Sequence, residues 1–253
     1  MNAASLRCEG VSVRFGALTA VDDVTLDFSG EGIQSVIGPN GAGKTTFFNV
    51  LSGRQRPTQG RVLRGERDIT GTSAHQRARE GIGRSFQITQ VFGGMTVFEN
   101  LRLARQAAAF RLQPFWRPVE SYEALAERAE AVMEEIGLTR LRDQPAEQLS
   151  HGDQRALELG ITLMTDPAIL LLDEPLAGVG EQEIEQTMSV ITRASRGRTV
   201  LLIEHNIGLV MRVSRRVVVL HQGAVLAAGT PEEIRSNQAV REAYLGGEYD
   251  AGP

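Results

Sequence analysis

The sequence predicts an α/β protein, a core of strands and helices interrupted by a run of helices. Three observations carry this reading. A glycine-rich loop, GPNGAGKTT (Gly38 to Thr46), joins a strand-like run to a helical one. Apolar runs such as AILLLDEP and TVLLIEH recur between helical patterns in the second half. From about Ile88 to Leu149 the pattern turns helical.

In chain order, LRCEGVSVRF and VDDVTLDF read as strands with GALTA as the turn between them. IQSVIG (Ile33 to Gly38) is a short apolar strand ending in glycine, and GAGKTTFFNVLSG reads as a helix that starts inside the loop and stops at Gly53. RVLRGERDIT suggests a short strand pair, and GIGRSFQ (Gly81 to Gln87) a strand edge. In the helical stretch, Thr96 and Glu99 stand at capping-box spacing. Tyr122, Leu125, Ala129, Val132, Met133 and Ile136 share one face, and Gly137 ends the helix. QPFWRP marks a loop between helices. GEQEIEQTMSVITRASR is helical, RVVVLHQG is a strand, and a helix runs from about Ile207 to Val213. Thr230, Pro231 and Glu233 mark the start of a further helix. The expected division is a core of residues 1–87 and 155–253 around a helical subdomain at 88–154.

Composition excludes several classes. A chain of 253 residues suits one large domain, or a core with a small subdomain. A net charge of −4 speaks against a general nucleic-acid or anionic-membrane binder. Cys8 is the only cysteine, so an internal disulfide and a thiolate zinc site are excluded. No stretch approaches the roughly 18 apolar residues of a membrane span, and MNAASLRCEG lacks an apolar signal region. A cytosolic protein is expected, reaching any membrane through a partner.

The loop fits G-x-x-x-x-G-K-[ST] at every fixed position, between a strand and a helix as that motif requires. Gly38, Gly41 and Gly43 let the backbone N–H groups form a nest for phosphate oxygens, with a helix N-terminus behind them. Asn40, Ala42 and Thr46 complete the loop, and Thr45 is a candidate Mg²⁺ ligand. Lys44 is the only lysine among 27 basic residues. A compact ammonium on a flexible stem suits a narrow phosphate nest, and a planar guanidinium does not. ILLLDE (Ile169 to Glu174) delivers two carboxylates at the end of an apolar strand. Asp173 is a candidate Mg²⁺ ligand and Glu174 a candidate for polarising an attacking water. In QLSHGDQRALELG, Ser150 is an expected N-cap with Asp153 three residues on.

With LSHGD between the two motifs, the chain resembles the ATP-binding cassette family, whose signature is usually written LSGGQ. The resemblance covers about residues 5–245. It implies a P-loop NTPase (RecA-like) core with an N-terminal antiparallel β subdomain and an inserted helical subdomain. Ser150 and Gly152 match the positions that contact the γ-phosphate of an ATP held by a second ATPase subunit; His151 and Asp153 depart from the usual pattern. Gln87 matches the Q-loop glutamine, which senses Mg²⁺. His205 in LLIEHN matches the switch histidine, and Phe15 in VRFG the aromatic that stacks on adenine. Gly180 stands where the family usually has an aspartate that links the two sites of a dimer.

RSFQITQVFGGMTVFENL, AAAFRLQPFWRP, LSHGDQR and REAYLGGEY look most similar to ATPase subunits of branched-chain amino acid importers and their amide and urea relatives. LAGVG with a YLG tail also resembles the lipopolysaccharide-export ATPase. A soluble cassette ATPase acting on DNA or ribosomes is the third alternative. The importer reading implies ATP and Mg²⁺, membrane-spanning permease subunits, a solute-binding protein acting indirectly, no nucleic acid, and a peripheral place on the cytoplasmic membrane face.

Overall fold

The computed structural model describes residues 5–85, 91–109 and 123–245. The first layer is a four-stranded antiparallel sheet of β1 (Leu6–Phe15), β2 (Leu18–Phe28), β4 (Gln59–Arg64) and β5 (Arg67–Asp68), in the order β2-β1-β4-β5. The turn between β1 and β2 is only Gly16 and Ala17, because Leu18 pairs with Phe15 and Thr19 with Arg14. Most of GALTA is therefore strand, a correction to the longer expected turn.

The second layer is a six-stranded sheet. It contains β3 (Gly32–Ile37), β6 (Ile82–Arg84), β7 (Ile169–Asp173), β8 (Thr199–Ile203), β9 (Arg216–His221) and β10 (Ala224–Gly229), ordered β10-β9-β3-β8-β7-β6. Neighbours from β9 to β6 run parallel, and β10 is an antiparallel edge. Side chains alternate between two cores, as strand geometry requires. Ile169 and Leu171 of β7, with Leu201 and Ile203 of β8, pack toward the antiparallel sheet and α1 (Lys44–Leu51). Leu170, Leu172, Val200 and Leu202 face the helical side.

That side holds α3 (Val97–Ala109), α4 (Glu123–Ile136), α5 (His151–Leu163) and α6 (Glu181–Ala194). The Thr96–Glu99 capping box forms, with Thr96 N donating to Glu99 Oε2 at 2.8 Å and Glu99 N to Thr96 Oγ1 at 3.2 Å. Leu125, Ala129, Val132, Met133 and Ile136 are the buried face of α4, and Gly137 follows at φ 81. Tyr122 and QPFWRP lie outside the described residues. α7 (Ile207–Val213) and α8 (Pro231–Ser236) complete the core, α8 with the expected Thr230–Glu233 capping box. Among the described residues, no helix is long and apolar enough to cross a membrane.

Among the elements that escaped the sequence reading are β10 and α2 (Ala74–Arg79). From α2 comes Arg77, 1% exposed, whose guanidinium donates to Val50 O at 2.6 Å, Leu51 O at 2.7 Å and Ile69 O at 2.8 Å. It thereby satisfies carbonyls that the last turn of α1 cannot pair internally. At the same helix, Phe47 packs on Phe28 of β2 with ring centroids 6.2 Å apart. α1 is thus fixed along its length and at its C-terminus before anything binds at its N-terminus.

Candidate functional site

The glycine loop connects β3 to α1 at the C-terminal edge of the parallel strands, where ligands bind in open α/β sheets. Two of its glycines are sterically required. A Cβ on Gly38 would lie 2.2 Å from Leu220 O, and one on Gly43, at φ +94, would lie 2.2 Å from Ala20 O. The loop is tied to the β9–β10 turn by Gly223 N donating to Ala42 O at 3.2 Å. Asn40, Gly41 and Thr45 are exposed, Thr46 is half-buried and Ala42 is buried. The first amides of α1 have no partner within the helix.

Lys44 is 6% exposed and folds back into this loop. Its Nζ donates to Gly38 O at 2.6 Å and Pro39 O at 3.1 Å. Burial lowers its pKa from the usual lysine value, opposed by the negative charges of Glu174 and Asp173. The ammonium and the two carboxylates therefore share one electrostatic neighbourhood, although they are about 130 residues apart in sequence.

Parallel pairing of β7 with β8 puts Asp173 opposite Ile203, so both strands end together. Asp173 has a fully buried side chain. Its Oδ2 accepts from Arg84 Nη2 at 2.8 Å, while Oδ1 is buried with no partner. Burial raises the Asp173 pKa, and Arg84 opposes the rise. Glu174 adopts φ 50, a left-handed conformation uncommon for a side-chain-bearing residue. Its N–H still bonds Ile203 O at 3.0 Å, and its Oε1 lies 2.7 Å from His205 Nε2.

Beneath that pair sits Glu204, 5% exposed. Its Oε1 accepts from Leu176 N at 2.9 Å and its Oε2 from His205 N at 3.1 Å. One buried carboxylate thus joins the turn that carries Glu174 to the turn that carries His205. Burial raises the Glu204 pKa, the two amide donors acting against it. Sequence reasoning missed Glu204 and Arg84, since neither belongs to a spaced motif.

The structure places Lys44 in the field of Asp173 and Glu174, and His205 in contact with Glu174. Phe15, 51% exposed, ends β1 as an apolar ring in solvent. Ser150 caps α5, accepting from Asp153 N at 3.1 Å and donating to Asp153 Oδ2 at 2.8 Å. Gly152 is buried against Glu183. These two residues bond or pack locally rather than onto the phosphate loop of their own chain. Gln87 lies outside the described residues.

The pattern that describes the ABC transporter family matches residues 21–177. The chain belongs to the ATP-binding cassette transporter family. As a cassette it is an ATP-binding ATPase with a P-loop NTPase fold. A second pattern, described as branched-chain amino acid ATP-binding cassette transporter, matches residues 224–250. The cassette is 44% identical over 250 residues to the high-affinity branched-chain amino acid transport ATP-binding protein LivG of Salmonella typhimurium, covering 95% of this chain and 97% of the relative. The lipopolysaccharide export system ATP-binding protein LptB of Haemophilus influenzae is 32% identical, with 96% and 98% covered. Among solved structures, the ADP conformation of MJ1267, an ATP-binding cassette of an ABC transporter, superposes with a TM-score of 0.82 at 31% identity, covering 96% of this chain and 99% of that one.

Proposed function

We propose that this cassette powers an importer for branched-chain amino acids, or for related amides or urea, from the cytoplasmic face of the membrane. The observation that carries the reading is the 44% identity to a branched-chain amino acid transport ATPase across nearly both chains. The lower 32% identity to the lipopolysaccharide-export protein makes export the second reading. Net charge −4 disfavours a soluble cassette acting on nucleic acid.

Within the site, the loop amides from Gly38 to Thr46 cradle the phosphates, and Phe15 stacks on the adenine. Lys44 exchanges its bonds to Gly38 O and Pro39 O for the β- and γ-phosphates. The oxygens fit a hard divalent cation: Asp173 Oδ1 is buried and unpartnered, and the Thr45 hydroxyl opens α1 on the exposed side. Asp173, Thr45 and Gln87 would hold Mg²⁺, which supplies charge neutralisation on the phosphate oxygens when bound. Glu174 accepts a proton from the attacking water while His205 fixes the carboxylate through Oε1. Ser150 and Gly152 of a second copy close the site from the opposite side. Closure moves a permease docked against the helical region, and hydrolysis resets it.

Uptake of labelled leucine, urea and a short amide by the native strain tests the assignment, with Glu174→Gln replacing the wild-type cassette. Loss of leucine uptake supports it. Unchanged uptake of all three solutes, with the variant present at normal levels, overturns it.

A further inference from the structure

Arg84 is the third residue of β6, at the edge of the six-stranded sheet. Parallel pairing sets Arg84 opposite Leu171, two residues before Asp173. Its side chain is 7% exposed. Nη1 donates to Asn49 Oδ1 and to Ser52 Oγ, both at 2.8 Å, and Nη2 donates to Asp173 Oδ2 at 2.8 Å. Asn49 lies within α1 and Ser52 is its C-cap. One planar fork therefore connects the helix that begins with Lys44 to the carboxylate that ends β7.

A carboxylate with no exposed surface needs a partner to remain ordered there. Arg84 engages only one of its two oxygens and leaves Oδ1 buried without a bond. Asn49 and Ser52 take both hydrogens of Nη1, so that nitrogen has none left for the second carboxylate oxygen. The carboxylate is held at one corner, with the other corner available.

We propose that Arg84 is a positioning residue that orients Asp173 so that Oδ1 meets the divalent cation of the nucleotide. This deepens the proposed function and rests on its reading of Asp173 as a metal ligand. Arginine fits because it reaches three acceptors on two elements in one plane; a lysine ammonium lacks that fixed geometry. Without Arg84, Asp173 loses the bond that sets its rotamer, beside the like charge of Glu174. Removing a residue that orients a metal ligand typically weakens metal affinity roughly 10–100-fold.

The test is Mn²⁺ binding, read by electron paramagnetic resonance with a non-hydrolysable ATP analogue present. The full chain is compared with Arg84→Gln, Arg84→Lys, Asn49→Ala and Asp173→Asn. Melting and metal-free binding of a fluorescent ATP analogue are measured alongside. The inference predicts that Arg84→Gln binds the nucleotide normally in EDTA but binds Mn²⁺ roughly 10-fold or more weakly. Arg84→Lys and Asn49→Ala should fall between it and wild type, and they carry the test if Arg84→Gln does not fold. Wild-type Mn²⁺ affinity in the folded Arg84 and Asn49 variants, with Asp173→Asn impaired, overturns the inference even if melting falls. Wild-type affinity in Asp173→Asn overturns the underlying metal-ligand reading instead.

Discussion

His205 Nε2 lies 2.7 Å from Glu174 Oε1, and the two residues approach from the ends of adjacent parallel strands. The contact is half-open to solvent, with side-chain exposures of 48% and 33%. It engages one oxygen of Glu174, and the other is available to a water. Glu174→Gln should therefore bind ATP, accumulate an ATP-bound dimer and hydrolyse roughly 10²–10⁴-fold more slowly. His205→Ala should lower turnover in the same direction with little effect on ATP binding. Light scattering with Mg-ATP, beside steady-state ATPase rates, checks both. Wild-type turnover in Glu174→Gln would remove it from the chemistry.

Glu204 gives a pH prediction with a defined sign. Burial raises its pKa, so between the ordinary carboxylate value and that raised value the folded state holds a proton that the unfolded state has released. Its contribution to stability falls as pH rises through this window. Glu204→Gln cannot titrate there. The melting temperature of the variant minus that of wild type should therefore increase as pH is raised above the ordinary carboxylate value. A difference that stays flat or decreases would contradict the assignment.

The spaced motifs were legible because the chemistry is written into adjacent residues. Gly38 and Gly43 are fixed by steric approach, Lys44 and Thr45 by their place at the start of α1, and Asp173 and Glu174 by ending an apolar strand. The repeated apolar runs also exposed the parallel core. Arg84 and Glu204 were not legible, because their roles arise only when β6, β7 and β8 align in register. Arg84 was further concealed in a chain where nearly every cation is arginine. α2 was missed because six residues are too short for helical periodicity, although Ser73 and Gln76 form a capping box. β10, AVLAAG, is rich in small residues with weak strand preference.

The N-terminus of α5 predicts shared sites. Ser150 is exposed and bonds Asp153 rather than the phosphate loop of its own chain. A heterodimer of Lys44→Ala and Ser150→Ala chains would carry one doubly damaged site and one intact site. Mixing the two inactive variants should restore part of the ATPase activity. Proven heterodimers without any recovery would contradict assembly across two chains.

Lys44→Arg tests the central claim most directly. The substitution keeps the charge and matches the cation used everywhere else in the chain. Lys44 is 6% exposed, with Nζ between Gly38 O and Pro39 O. A guanidinium cannot occupy that place with the same donor geometry. The protein should still fold, while turnover falls roughly 10²–10³-fold, the usual cost of losing one preorganised donor to developing charge. The measurement is steady-state ATPase activity beside thermal melting, with and without Mg-ATP. A cooperative melt with this loss of turnover is the predicted result. A Lys44→Arg protein that melts normally and hydrolyses ATP at the wild-type rate would contradict a phosphate nest built around a lysine.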